Sequence, residues 1–545
     1  MKKIVSNILK SLHTDEKRKW GILIFFDVLI SALDILFLTI LLYIIHFTAE
    51  PVYAKSDKAF FFSIHPVLLV LSFLVCFSIK NLFGFWVLKK QNAFVYAVAA
   101  RMSKENLENY LRNDYLHYVH VDSSVHMRKI GQEPIEFGQY VLRGLQQIIG
   151  QTILILITII AILIFNASLF LILFSILLPP IFLMGYLMKK WLSSARMNTK
   201  RSSERSIQHL YEALGGFIES NIYGKQDFFT KRYVIQQKKL NKDLSVQQNI
   251  QGMPSRLIEV FAIFGLFVLI LINTVYANTI QIITIGAFMA AAYKIIPGIV
   301  KILNSAGQIK TYSFTIKSDK LFLPNPIRHS VREIAAVAFS DISIKYEDHI
   351  VLEHFNMKIV SGDLAGISAI SGKGKSTIIH LLLGFLDPCA GAIYINEELS
   401  DASERQSYWG NIAYVKQQSF LIHDSIVKNI TLDEIVDQKK MSEAIEMSGL
   451  GELLDQLPEG YDSIIEENGK NISGGQRQRI MLARAFYKEF DMLILDEPFK
   501  ELDEASEIKI LKHLQTIATK RKIVVLITHN DSSLSFCNKI ITIGA

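Results

Sequence analysis

Cysteine is scarce. Cys76, Cys389 and Cys537 stand far apart in 545 positions, which argues against a disulfide framework or a cysteine-ligated metal and leaves three free thiols. A cleavable secretory signal is also missing. Lys2 and Lys3 open the chain, but the first long apolar run begins near Gly21, too late and too long for one. Nor does one sign of charge dominate: 58 Lys and Arg against 51 Asp and Glu leave a formal charge of +7. That surplus would suit nucleic acid or a membrane surface, and its distribution must decide. Apolar residues are what the chain has in excess. Half of it is hydrophobic and its mean hydropathy is +0.28, a positive value that soluble domains seldom reach and that points to several membrane spans.

The apolar runs all lie within the first 305 residues. Stretches long enough to cross a bilayer, about 20 residues each, are 20–47, 60–88, 145–165, 169–188, 257–276 and 280–303. Only Asn166, Ala167 and Ser168 separate the third from the fourth, and Ala277, Asn278 and Thr279 the fifth from the sixth. Such tight connections predict hairpin tips. Six spans put both termini on one side of the membrane. Lys and Arg choose the side. They crowd before the first span (Lys2, Lys3, Lys10, Lys17, Arg18, Lys19), in the second-to-third connection and in the fourth-to-fifth, and are absent from the two tips. Basic loops are cytoplasmic, so the termini and both long connections are expected there. The positive charge is thereby explained by topology, and no nucleic-acid partner is expected.

Both long connections read as helical extensions of the spans. Pro324 and Pro326 mark a linker over 317–334, between a membrane domain at 1–316 and a soluble α/β domain at 335–545.

Three motifs in the soluble domain carry chemistry. The first is Ser371-Gly372-Lys373-Gly374-Lys375-Ser376-Thr377, followed by an apolar helix. A glycine-rich turn that opens a helix offers backbone N–H groups to phosphate. Lys375 would reach the β- and γ-phosphates, and the Ser376 hydroxyl would bind Mg²⁺. Ala369 replaces the first glycine of the usual pattern, and the loop is expected to survive that change. The second motif is the apolar run Met492-Leu493-Ile494-Leu495 ending in Asp496 and Glu497. There Asp496 suits Mg²⁺, and Glu497 suits the polarisation of an attacking water. The third is Ile472-Ser473-Gly474-Gly475-Gln476, another glycine turn before a helix. Taken alone, the first motif could be a surface turn and the second an ordinary strand end with solvated acids.

Together these motifs resemble the ATP-binding-cassette superfamily. Ser473, Gly474, Gly475 and Gln476 match its signature motif, with Ile472 in place of leucine. Tyr346 falls where an aromatic stacks on adenine. Gln417 matches the Q-loop glutamine, although Lys416 replaces the usual proline. Leu502 and Asp503 match the end of the D-loop, although Lys500 and Glu501 replace Ser-Ala. His529 matches the switch histidine. Six spans followed by one cassette is the layout of an exporter half-transporter, so the resemblance covers the whole chain.

It implies a type I exporter-like membrane domain of six helices fused to an α/β P-loop nucleotide-binding domain. ATP and Mg²⁺ are the implied cofactors, with Ser376, Gln417 and Asp496 around the metal and Glu497, Gln417 and His529 in catalysis. Two chains, expected to be a homodimer, would pair their cassettes head to tail, so that Ser473, Gly474 and Gly475 act on ATP held by Lys375 of the partner. Coupling helices are expected near 117–125 and 223–228, and active hydrolysis is expected despite the substitutions. The implied setting is the inner membrane of a bacterium, with the cassette in the cytoplasm.

The segment from Ala292 to Ser305, with Ser78-Ile79-Lys80-Asn81-Leu82-Phe83, resembles lipid-linked oligosaccharide flippases. An amphipathic glycolipid is therefore the first expected substrate. A peptide, such as a modified one, is second, with no leader cleavage expected because no peptidase domain precedes the first span, and a drug or other lipid is third. Import is disfavoured, because importers usually keep spans and cassettes on separate chains. A soluble ATPase and a regulator with an inactive cassette are the rivals of another class. Within the spans, Asp27 and Lys80 fall at similar depth and are expected to pair, and Pro297 is expected to kink the sixth span. The chain ends soon after its last strand, without the helical tail usual in the family.

Overall fold

The computed structural model describes residues 2–49, 66–111, 122–165, 198–275, 282–316, 332–346, 349–369, 374–466 and 469–543, with a few isolated positions between 175 and 187. These fall into two compact units, a helical one up to Ile316 and an α/β one from Arg332.

The helical unit is built of long rods. Thr14–Ala49 begins with Asp15 and Glu16, carboxylates that suit the positive end of a helix. Pro66–Leu111 runs for 46 residues and Gln226–Val275 for 50. Each continues well past the length of its expected span, so the long connections are extensions of the spans. Ile282–Thr311 runs on through Pro297. By length and apolar composition, three helices among the described residues can cross a membrane: Thr14–Leu41, Val70–Leu111 and Ser123–Ile164. The expected span 169–188 lies mostly outside the described residues, as do the tips 166–168 and 277–279.

The third of these helices has an unusual winding. Between Ser123–Met127 and Arg143–Phe165 it passes through two π-helical turns, Arg128–Gln132 and Phe137–Leu142, separated by Glu133–Glu136. Phe137, Gly138, Val141 and Leu142 of the second turn are buried. They pack with Ile8, Trp20, Val95, Val98, Ile309 and Tyr312 into the core of this unit. Gly138 is needed there, because a Cβ would stand 2.9 Å from Val95 Cγ1. Arg101 locks the same end. It donates to Glu16 at 2.7 Å, to Glu105 at 2.7 Å and to the Ser11 carbonyl at 3.0 Å.

The charges inside the spans pair differently from expectation. Lys80 binds Asp34, not Asp27. The Lys80 ammonium also lies 4.6 Å from the Phe77 ring centre. Asp27 instead packs its carboxylate against Gly150, at a spot where any Cβ would collide with it. Equal depth along two helices does not fix which side chains meet, and here Lys80 reaches Asp34 while Asp27 interacts with Gln91 further along the same helix.

Two layers of sheet make up the α/β unit. The strands β1 (Ala336–Tyr346), β2 (His349–Val360), β4 (Ala390–Ile395) and β5 (Glu398–Leu399) form an antiparallel sheet in the order β2-β1-β4-β5. A parallel sheet runs β11-β3-β10-β9-β6, with β3 at Leu364–Ala369, β6 at Ile412–Val415, β9 at Met492–Asp496, β10 at Ile523–Ile527 and β11 at Lys539–Ile543, and β7 (Asp424–Ser425) and β8 (Ile464–Ile465) form a small pair of their own. Every residue of β9 and β10 is buried, which explains their unbroken apolar sequence: a parallel sheet is covered on both faces. One apolar core lies on each side of it.

Candidate functional site

The carboxyl ends of the parallel strands gather the predicted residues, which is where open α/β sheets bind ligands. Asp496 is level with Ile527 in the β9–β10 ladder. Beyond β3 the chain reaches Gly374, whose φ of +97° favours glycine; a Cβ there would crowd Val351 and Leu352 at 3.1 and 3.2 Å. The helix Lys375–Leu382 follows, held down by buried Ile378, Ile379, Leu381 and Leu382. Lys375, exposed Ser376 and buried Thr377 thus form its first turn. Ser371, Gly372 and Lys373 lie outside the described residues. Ala369 is extended strand backbone paired with Ile543, a conformation that needs no glycine.

Glu497 is the hub. Lys375 Nζ donates to its Oε1 at 3.1 Å and Gln417 Nε2 to its Oε2 at 2.7 Å. His529 Nδ1 stands 3.4 Å from Oε1. Its own backbone N–H donates to the Ile527 carbonyl at 2.9 Å and is held at a φ of +48°, in the left-handed region that a glutamate seldom visits. Three separate stretches of sequence thus converge on the carboxylate of a fourth.

The two neighbouring acids are pushed apart in acidity. Burial and the Glu497 charge raise the Asp496 carboxyl to about 6, against the pull of Lys375 and Lys416. Burial acts on Glu497 in the same direction, but the Lys375 hydrogen bond and charge, with His529, outweigh it and hold that carboxyl below its usual range. Glu497 is therefore the first of the pair to lose its proton as pH rises. Lys416, the residue in place of the Q-loop proline, contributes a positive charge beside Asp496.

Among the described residues no cluster of His, Cys, Asp and Glu could hold a metal by itself. Ser376, Gln417 and Asp496 offer oxygen donors only, which fits a hard cation that shares its shell with phosphate.

The second glycine turn is also formed as expected. Ser473 caps the helix Gly474–Tyr487 in a reciprocal box with Gln476: Gln476 N donates to Ser473 Oγ at 3.3 Å, and Ser473 N to Gln476 Oε1 at 2.8 Å. Gly475 backs onto the Glu501 carbonyl, where a Cβ would stand 2.8 Å away. The Glu501 carboxylate rests on Gly474 and 3.6 Å from Arg477 Nη2. Sequence reading had marked Glu501 only as a departure from the family pattern and missed this contact. Tyr346 closes β1, paired with His349.

Outside this unit, Gly224, at a φ of +58°, turns the chain between Phe217–Ile222 and the helix that starts at Gln226, leaving Ile222 and Tyr223 more than 70% exposed. The other expected coupling segment, 117–125, lies outside the described residues before Asp122.

Residues 352–500 match the ABC transporter domain family. A probable ABC transporter ATP-binding/permease protein of Haemophilus influenzae is 32% identical over 220 residues, 39% of each chain. An ATP-dependent lipid A-core flippase of Ralstonia nicotianae is 28% identical over 389 residues, 68% of this chain and 64% of its own. Another, from Polaromonas, is 33% identical over 211 residues, 38% of this chain and 36% of its own. The chain thus spans less than two thirds of these relatives' lengths. A bacterial Atm1-family ABC exporter with ATP bound superposes with a TM-score of 0.82 at 18% identity, covering 97% of this chain and 94% of that one. Residues 352–500 therefore belong to the ABC transporter family, on a chain that takes the fold of an ABC exporter.

Proposed function

We propose that this chain is one half of an ATP-driven exporter that moves an amphipathic glycolipid from the inner leaflet of a bacterial inner membrane. The observation that carries the reading is the convergence of Lys375, Gln417 and His529 on Glu497. A lysine from a phosphate loop, an amide and an imidazole around one ionised carboxylate are the parts that phosphoanhydride hydrolysis needs.

Lys375 forms an ion pair with Glu497 at 3.1 Å. Phosphates claim its ammonium, and the freed carboxylate then accepts a proton from the attacking water. Gln417 and His529 orient that carboxylate and the transferred phosphoryl group. Tyr346 stacks on adenine, and Ser371, Gly372, Lys373, Gly374 and Thr377 complete the phosphate cradle. Mg²⁺, held by Ser376, Gln417 and Asp496, would neutralise phosphate charge. Two chains pair head to tail as a homodimer, so the turn at Ser473, Gly474, Gly475 and Gln476 meets ATP on the partner. The domain limits are 1–316, 317–334 and 335–545, with the termini and the cassette cytoplasmic. Segments 117–125 and 223–228 carry cassette motion to the spans.

The glycolipid choice rests on the residues around Lys80 and 292–305, and on relatives named for lipid A-core. Proteoliposomes with a fluorescent lipid-linked oligosaccharide test it, with Glu497→Gln as control. ATP-dependent movement between leaflets in wild type alone is the expected result. Hydrolysis without movement of the lipid would overturn the glycolipid choice and make peptides the next substrate to assay.

A further inference from the structure

The family pattern has a small residue where this chain has Glu501, and the fold puts that side chain to a specific use. The helix Gly474–Tyr487 is 14 residues long, and its first N–H groups carry the partial positive charge that draws anions. Gly474 stands at that end without a Cβ, and the Glu501 carboxylate fills the space a Cβ would take. The fit extends along the loop. The Glu501 carbonyl covers Gly475, and Leu502 N donates to the Phe499 carbonyl at 3.0 Å, folding the segment into a turn over the helix end. Arg477, 3.6 Å from the carboxylate, adds positive charge on the next turn. A carboxylate therefore sits where the proposed function requires the partner's γ-phosphate.

We infer that Glu501 is an internal competitor for the signature turn, an anion that must swing away before the partner's ATP can dock. This rests on the proposed head-to-tail arrangement. The side chain is half exposed and has open solvent to move into. Its occupancy lowers the population of binding-competent cassettes, and apparent nucleotide affinity falls by that fraction. Departure of the carboxylate also frees Arg477 to face the incoming phosphate. Glu501 is thus a positioning residue that sets how much ATP is needed for the cassettes to close, without taking part in the chemistry.

Glu501→Gln tests this, since it removes the charge and keeps the shape. In the full chain, reconstituted in lipid nanodiscs with Mg²⁺ and ATP, the KM for ATP is expected to fall about tenfold with kcat within twofold of wild type. An unchanged or higher KM beside normal turnover overturns the inference and leaves the exporter reading intact. No turnover in wild type overturns both. A second measurement does not depend on activity. Gly474→Ala, whose methyl displaces the carboxylate into solvent, should shift the melting temperature by different amounts in wild type and in a Glu501→Ala background, where the added methyl meets no carboxylate. Equal shifts in the two backgrounds would mean that the carboxylate does not occupy this position.

Discussion

Glu497 and Asp496 are adjacent in sequence yet do different work, because one meets Lys375 and the other is buried beside a negative charge. Glu497→Gln keeps the hydrogen-bonding shape but cannot take a proton, so ATP turnover should fall about 100-fold or more while nucleotide still binds. A phosphate-release assay beside a nucleotide-binding titration checks both halves. Asp496 gives a stability prediction for the nucleotide-free protein. Its carboxyl titrates near 6 in the fold, well above the ordinary value of 3.8. Stability from this group is complete below the ordinary value and is lost as pH rises through 6, where folding must tolerate a buried charge. Asp496→Asn removes that cost. Its melting temperature should exceed wild type at pH 8 and converge with it near pH 4. A constant offset at both pH values would contradict the assignment.

Two helices of the cassette separate capping from function. Asp437 caps Gln438–Ser448 by accepting from Lys439 and Lys440 N–H groups, away from the Glu497 cluster. Ser473 caps Gly474–Tyr487 at the proposed phosphate contact. Either residue changed to alanine should cost about 1 kcal/mol of stability by denaturant unfolding. Only Ser473→Ala should also depress ATP turnover. Elements like these were legible in the sequence because a glycine turn, a cap and an apolar run leave marks at fixed spacing. The helix Lys375–Leu382, the buried strand ending at Asp496 and the box at Ser473 all lie where those marks put them. Contacts between elements were not legible. Depth along the spans suggested Asp27 for Lys80, whereas helix packing, which one sequence does not encode, supplies Asp34. The Glu501 contact on Gly474 is hidden for the same reason, since it depends on how a loop folds back across 27 residues of sequence.

At the scale of the whole molecule, the Lys80–Asp34 pair joins the first two membrane-crossing helices. Lys80→Met alone should cost about 2–3 kcal/mol by taking the ammonium away from the Asp34 carboxylate in an apolar setting, and the double variant with Asp34→Asn should recover most of it. Thermal unfolding of the detergent-solubilised protein measures that cycle. The helix over residues 123–165 raises a different matter. Each of its two π turns holds on the order of one residue more than an α-helical turn would. A surplus residue sets a phase. Winding Arg128–Gln132 as an ordinary α-helix with all its residues kept would rotate everything beyond it by about 100°. Gly150 would swing off the Asp27 carboxylate, and Gly144 off Ile309, 3.2 Å from where its Cβ would lie. The rewound helix would be just as apolar and would still insert in a bilayer, yet it would turn the wrong side to its neighbours. Hydropathy governs whether this helix crosses; the two wide turns govern what it faces.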